Sequence, residues 1–109
     1  MSGPYHRSKS LLGAELAGLS LADLKTLVRH TLEDRIHGLC FSPYLEGQGP
    51  GTCLAESQIR ARLEIIQAHT HWIRSFSCQD GHELIPRVAA EMGLKTMVGA
   101  WLDDDLERN

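Results

Sequence analysis

The spacing of apolar residues along the chain changes several times, and each change predicts a new secondary-structure element. Apolar residues recur at helical spacing over residues 21–34, over residues 56–68 and in a third segment that has Pro86 in its first turn, which predicts three helices. Short runs rich in apolar and β-branched residues predict strands between and after these helices. The strands cover residues 37–41, 72–78 and 95–102. The predicted order is a helix followed by β-α-β-α-β.

Residues at the ends of these segments support the boundaries. Ser20 and Asp23 fit a capping box at the start of the first helix. Pro43 closes the first strand, and Gly93 stands where a residue just past the end of the third helix is expected. The aspartates at 103–105 suit the start of another helix, because carboxylates are favoured at the positive end of the helix dipole.

Strands that alternate with short helices are typical of an α/β fold with a parallel sheet and right-handed crossovers. We therefore expect three parallel strands over residues 36–109, preceded by a lead-in and helix over residues 1–35. In such folds ligands bind at the carboxyl ends of the strands. The residues expected at that rim are Ser42, Pro43, Tyr44, Ser77, Cys78, Asp80, Ala100 and Trp101.

Length, charge and cysteine content narrow the classes of function. The 109 residues suit one small domain, and the net charge of −3 with scattered Lys and Arg argues against a nucleic-acid partner. No apolar run approaches the roughly 18 residues of a membrane span. The first ten residues lack the apolar segment of a secretory signal, which predicts a cytoplasmic protein. The three cysteines show no CxxC spacing, so we expect reduced thiols.

A glycine-rich segment follows the first predicted strand, with glycines at positions 47, 49 and 51. A dinucleotide-binding loop needs GxGxxG between strand and helix, and a P-loop needs a lysine. Here the pattern is GxGxG with Pro50 inside it, and the helix begins several residues later. We therefore expect a flexible connection and no cofactor, although a nucleotide site in this loop stays open as the weakest alternative.

Aromatic and polar residues near the strand ends favour a different ligand. Tyr44 and Trp101 offer flat apolar faces, and Asp80 and Arg74 offer hydrogen-bonding groups, which is the combination that a sugar ring needs. Structural roles stay open for these residues as well. Trp101 could cap the core, Tyr44 could be an ordinary loop residue, and Arg74 could form an ion pair across the sheet.

The histidines give no site by spacing. His69 and His71 would face different ways on a helix, and no third metal ligand stands near them, so no metal is expected. No Ser-His-Asp or Cys-His arrangement can be assembled from the sequence either, which leaves the chain without a catalytic candidate of that kind.

Three segments, taken in order, resemble the start of glycoside hydrolase family 17 proteins, which are β-1,3-glucanases. They read GLCFSPYLEGQGPG, WIRSFSCQDGHELIPRVAAEMGLK and TMVGAWL, and the resemblance covers about residues 36–105. The resemblance implies the start of a (β/α)8 barrel that cleaves β-1,3-glucan with retention, using two glutamates and no metal. It also implies that the residues lining the glucan cleft include Tyr44, Arg74, Asp80 and Trp101.

The same resemblance implies that the catalytic residues lie elsewhere. The acid/base glutamate of the family follows the fourth strand and its nucleophile follows the eighth, whereas this chain matches the first three strands. We therefore expect an N-terminal fragment of a glucan hydrolase or transglycosylase, inactive alone and able to self-associate through exposed sheet edges. A stand-alone, non-catalytic glucan-binding or interaction module is the alternative.

Overall fold

The structure of the protein is a computed structural model that describes residues 16–107 and 109. Residues 1–15 of the expected lead-in lie outside the described residues. The chain divides into two compact units after Thr31, and each unit is described by itself. No helix in the described residues is long and apolar enough to cross a membrane.

Helix α1, Leu21–Glu33, has the local features that its sequence predicts. The N–H of Asp23 donates to Ser20 Oγ at 3.2 Å, which satisfies one of the free N–H groups of the first turn. Beyond the helix, Arg35 adopts a positive φ of 66°, which is a left-handed backbone conformation.

The second unit, Leu32–Asn109, contains a three-stranded parallel sheet, which confirms the predicted α/β class. Its strands are β1 (Ile36–Cys40), β2 (Thr70–Arg74) and β3 (Lys95–Met97), in the spatial order β1-β2-β3. The register opposes Leu39 to Ile73 and Ile73 to Thr96, so these three residues share one face of the sheet.

Two helices and a short 3-10 turn connect the strands. Helix α2 is Glu56–Ile66, the 3-10 turn is His82–Leu84, and helix α3 is Ile85–Glu91. Apolar residues of both helices pack with Ile73 in a single core, which places the two helices on the same face of the sheet. The buried core residues are Phe41, Leu54, Ile59, Leu63, Ile73, Ile85, Val88, Ala89 and Leu94.

A ring of four charged side chains joins α2 to α3 at the surface. Arg60 donates to Glu56 at 3.2 Å and to Glu91 at 2.6 Å. Arg87 lies 3.0 Å from each of the same two carboxylates. Hydrogen bonds from Arg87 and Arg60 hold the pKa of Glu56 below its ordinary value of 4.5, and those from Arg60 and Arg87 do the same for Glu91.

The end of α3 follows from its sequence. Gly93 has a φ of +78°, which suits glycine, and its N–H donates to the Ala90 carbonyl at 3.1 Å. The N–H of Leu94 donates to the Ala89 carbonyl at 2.9 Å. These two bonds form a Schellman motif, which satisfies carbonyls at the helix end and directs the chain into β3.

Two strands and one helix differ from the prediction. The predicted strand over 72–78 begins earlier and ends earlier, because β1 offers partners opposite Thr70–Arg74. The predicted strand over 95–102 is confined to Lys95–Met97, because β2 pairs with those three residues. The length of each strand is therefore set by the strand it pairs with, and an apolar run in the sequence does not show which residues will pair.

The helix predicted at 103–105 does not form. The N–H of Asp105 donates to Asp103 Oδ1 at 2.8 Å, and the N–H of Glu107 donates to Asp105 Oδ1 at 3.2 Å. Aspartate side chains that accept from the backbone two residues later compete with helical hydrogen bonding. The segment therefore folds into consecutive turns.

Candidate functional site

The loops that follow the three strands surround one cavity of about 730 Å³, which we call the rim pocket. It lies at the carboxyl ends of the parallel strands, where the alternation of strands and helices predicts a site. The residues that line it are Ser42, Tyr44, Pro50 and Gly51 after β1, Phe76, Ser77, Gln79, Asp80 and His82 after β2, and Trp101 and Asp103 after β3.

Three of the four residues expected to bind a sugar lie together in the rim pocket. Tyr44, Asp80 and Trp101 line it from three different loops. Tyr44 is partly buried against the apolar core, whereas Trp101 is 69 % exposed. Tyr44 is therefore part of the packed structure, and the indole of Trp101 offers most of its surface to solvent or to a ligand.

Arg74 does not line the rim pocket. It alternates with the buried Ile73 and therefore lies on the other face of β2, with its guanidinium 4.9 Å from the centre of the Phe76 ring. The three strands contain no acidic residue, so the ion pair across the sheet that was left open for Arg74 has no partner there. The arginine instead stacks on an aromatic ring that itself lines the rim pocket.

Backbone contacts tie the loop after β1 to the turn after β2. The N–H of Leu54 donates to the carbonyl of Asp80 at 2.8 Å. Asp80 and Gly81 both have positive φ, 55° and 94°, and a Cβ at Gly81 would overlap the Leu54 carbonyl oxygen. The close approach therefore requires glycine at position 81, and it fixes the position of Asp80 beside the pocket.

The loop after β3 is held against the segment that follows β2 in a similar way. The N–H of Gly99 donates to Ser75 Oγ at 3.3 Å, and Cys78 Sγ donates to the Gly99 carbonyl at 3.5 Å. A Cβ at Gly99 would overlap the carbonyl oxygen of Ser75. This contact brings Trp101, two residues further on, to the rim of the pocket.

The glycine-rich loop, which the sequence predicts to be a flexible connection, contains several hydrogen bonds of its own. Gln58 Nε2 donates to the Pro43 carbonyl at 2.8 Å and to Gln48 Oε1 at 2.6 Å. The N–H groups of Gln48, Gly49 and Thr52 donate to acceptors inside the loop. N–H groups that are already bonded within the loop do not form a phosphate cradle, which argues against a nucleotide site.

His82 is a pocket residue that sequence spacing did not identify. Its side chain is buried, and its Nδ1 lies 2.9 Å from the carbonyl oxygen of Gln79. The imidazole meets the ring of Tyr44 at 5.5 Å between centroids with an angle of 74° between the planes. An isolated histidine in a turn gives no signal in the sequence, because its contact with Tyr44 joins loops that follow different strands.

The pocket combines flat apolar surface with hydrogen-bonding groups. Tyr44 and Trp101 supply aromatic faces, and the hydroxyls, amide and carboxylates of the other lining residues can bind polar groups of a ligand. Within the described residues, no cluster of three or more His, Cys, Asp or Glu side chains could hold a metal ion. The three cysteines are exposed, free thiols.

The fold and site together define a small α/β unit with three parallel strands and an aromatic pocket at their carboxyl ends. Comparison of the chain with family models, with curated proteins and with solved structures found no match.

Proposed function

We propose that this chain is the first part of a glycoside hydrolase barrel of the family 17 type and contributes the substrate-binding surface for a β-1,3-glucan. The observation that carries the proposal is the presence of Tyr44 and Trp101 in one pocket, with Asp80 between the loops that bear them. A pyranose ring presents a flat face of C–H groups and a rim of hydroxyls. Aromatic rings beside carboxylate and hydroxyl groups match both features.

The arrangement of the elements supports the barrel part of the proposal. The sheet order β1-β2-β3 follows the chain, and α2 and α3 pack on the same face. Consecutive units of a (β/α)8 barrel have this arrangement, with helices outside and strands inside. One half of a doubly wound sheet has the same strand order with its helices on one face, so the choice of the barrel comes from the resemblance of the sequence.

The proposed role is binding without catalysis by this chain alone. Retaining hydrolysis needs two carboxyl groups about 5–5.5 Å apart on either side of the scissile bond. Of the two carboxylates that line the pocket, Asp80 and Asp103, the second accepts the N–H of Asp105 at 2.8 Å. Glu83, in the turn after β2, accepts the N–H of Gly81 at 2.9 Å. The two catalytic glutamates of the proposed parent would come from later strands.

The test is a calorimetric titration of the purified chain with a β-1,3-linked glucose hexamer. We expect Trp101→Ala and Tyr44→Ala each to weaken binding by roughly tenfold, since losing the burial of one ring face costs on the order of 1.5 kcal/mol. Trp72→Ala is the matched control, because Trp72 lines the opposite face of the sheet and lies outside the rim pocket. No binding of the hexamer by the unchanged chain would refute the proposal. Unchanged affinity in both the Trp101→Ala and the Tyr44→Ala variants would also refute it.

A non-catalytic glucan-binding module is the second candidate. It is favoured by the fact that the rim pocket is built from loops of this chain alone. The genomic sequence downstream separates the two candidates. A barrel parent requires that this sequence, in some frame, continues with a fourth strand that ends in glutamate, and a module does not.

A further inference from the structure

His82 is one of few buried polar side chains among the described residues, with 5 % of its surface exposed. Burying an imidazole is costly unless its nitrogens find partners. The carbonyl of Gln79 lies 2.9 Å from Nδ1 and can only accept, so Nδ1 carries the proton and donates. The ring is thereby fixed to the turn that follows β2.

The second contact of His82 crosses to another loop. Its ring packs against Tyr44 at 5.5 Å with the planes at 74°, which is the edge-to-face geometry that aromatic pairs prefer. Tyr44 follows β1, so this contact joins the loop after β1 to the turn after β2. The hydrogen bond to Gln79 thus holds the imidazole in place, and the tyrosine ring packs against it.

We propose that His82 is a positioning residue for Tyr44, and that it sets the affinity of the rim pocket by holding the tyrosine ring in the orientation that a sugar ring stacks on. The inference rests on the proposed function, because it takes the ligand of the pocket, a β-1,3-glucan, from it. The residue acts through Tyr44, because it is almost completely buried although it lines the pocket. A ring held in place before binding loses less conformational entropy when the ligand arrives.

Two substitutions separate the hydrogen bond of His82 from its aromatic contact with Tyr44. His82→Asn keeps a side-chain N–H close to the position of Nδ1 and removes the aromatic contact. His82→Phe keeps the ring and removes the donor, while the Gln79 carbonyl retains the backbone N–H of residue 82, which donates to it at 3.0 Å. We expect His82→Asn to weaken binding of the β-1,3-linked glucose hexamer by about threefold to tenfold, the factor that an aromatic pair contributes. His82→Phe should bind within about twofold of the unchanged protein.

A double-mutant cycle decides whether the effect passes through Tyr44. In a Tyr44→Ala background, His82→Asn should have no further effect on the affinity for the hexamer. An effect that persists in this background, or a His82→Asn variant that binds as well as the unchanged protein, would overturn the inference.

A ligand-free measurement keeps this inference separate from the proposed function. The ring-proton NMR shifts of Tyr44, assigned by comparison with Tyr44→Phe, should move towards those of free tyrosine in His82→Asn and should remain displaced from them in His82→Phe, because the phenyl ring also exerts a ring current. If the unchanged protein does not bind the hexamer, the proposed function fails and these shifts alone decide the positioning role. Unchanged Tyr44 shifts in His82→Asn would overturn it.

Discussion

The backbone N–H of Leu54 donates to the carbonyl oxygen of Asp80 at 2.8 Å, and this hydrogen bond joins the loop after β1 to the turn after β2. The bond brings the two loops so close that position 81 has no space for a side chain, because a Cβ there would overlap the Leu54 carbonyl. One wall of the rim pocket therefore depends on a backbone contact between residues that are far apart in the chain.

Gly81→Ala should destabilise the protein by at least about 2 kcal/mol. The left-handed conformation alone costs an alanine roughly 1–2 kcal/mol, and the overlap with Leu54 adds to it. The free energy of unfolding in urea measures the loss. Gly47→Ala is the control, since Gly47 has a similar φ of +79° but no atom within 4 Å of the added methyl group, so it should cost about 1 kcal/mol. Equal losses in the two variants would show that the close approach does not constrain the loops.

The charged ring between α2 and α3 predicts a loss of stability in acid. The pKa values of Glu56 and Glu91 are lower in the folded protein than their ordinary value of 4.5, so the folded state binds protons less readily than the unfolded state. The ring's stabilisation is therefore complete above about pH 4.5 and is lost as the pH falls through the lowered folded-state values.

Thermal unfolding from pH 7 down to pH 3 tests this expectation. The double variant Glu56→Gln with Glu91→Gln should melt below the unchanged protein at neutral pH, and the difference should shrink as the solution becomes acidic. Glu64→Gln is the matched control on the exposed side of α2, outside the ring. A gap in melting temperature that is the same at pH 3 and pH 7 would contradict the assignment.

The face of the sheet opposite α2 and α3 predicts self-association of the isolated chain. Met97 is 62 % exposed on β3, and within the described residues β1 and β3 each pair with a strand on one side only. Open strand edges and exposed apolar side chains favour contact with a second copy. Sedimentation velocity should show a mass that rises with protein concentration.

Met97→Glu should shift this equilibrium towards the monomer, since a charge on the exposed strand opposes pairing. Ile65→Glu provides the comparison, because Ile65 is similarly exposed, at 59 %, but lies on α2. A sharp, cooperative melting transition of a protein that stays monomeric at all concentrations would count against the prediction.

The isolated chain should release no reducing sugar from laminarin. The proposed function places both catalytic glutamates on later strands of the parent protein, so this chain alone would lack the two carboxyl groups that retaining cleavage needs. The assay compares the unchanged protein with a variant that combines Asp80→Ala and Glu46→Ala. Turnover that these two changes abolish would require a new assignment of the catalytic residues.

Features with a local cause were predictable from the sequence. Gly93 and Pro86 mark the end and the first turn of α3, because a positive φ and a missing N–H act on the residue itself. The ends of β2 and β3 were not predictable, because they depend on which residues of the neighbouring strand are available to pair with them. The aspartates after β3 were misassigned to a helix, because the dipole argument ignored their competing bonds to the backbone.

The same distinction applies to the rim pocket. Strand ends meet at one edge of a parallel sheet, so the sequence could place Tyr44, Asp80 and Trp101 near one another. Arg74 was grouped with them by its position along the chain, but strand alternation puts it on the other face. His82 was not identified as a pocket residue, because its contact with Tyr44 joins loops that no spacing rule connects.

The order of the sheet has a consequence for folding during synthesis. Because β1, β2 and β3 lie side by side in the order in which a ribosome produces them, each new strand can dock on its predecessor as soon as its helix has emerged. No earlier pairing must open to admit a later one. A later strand in the chain could pair directly with the edge of β3, because that edge would already be formed.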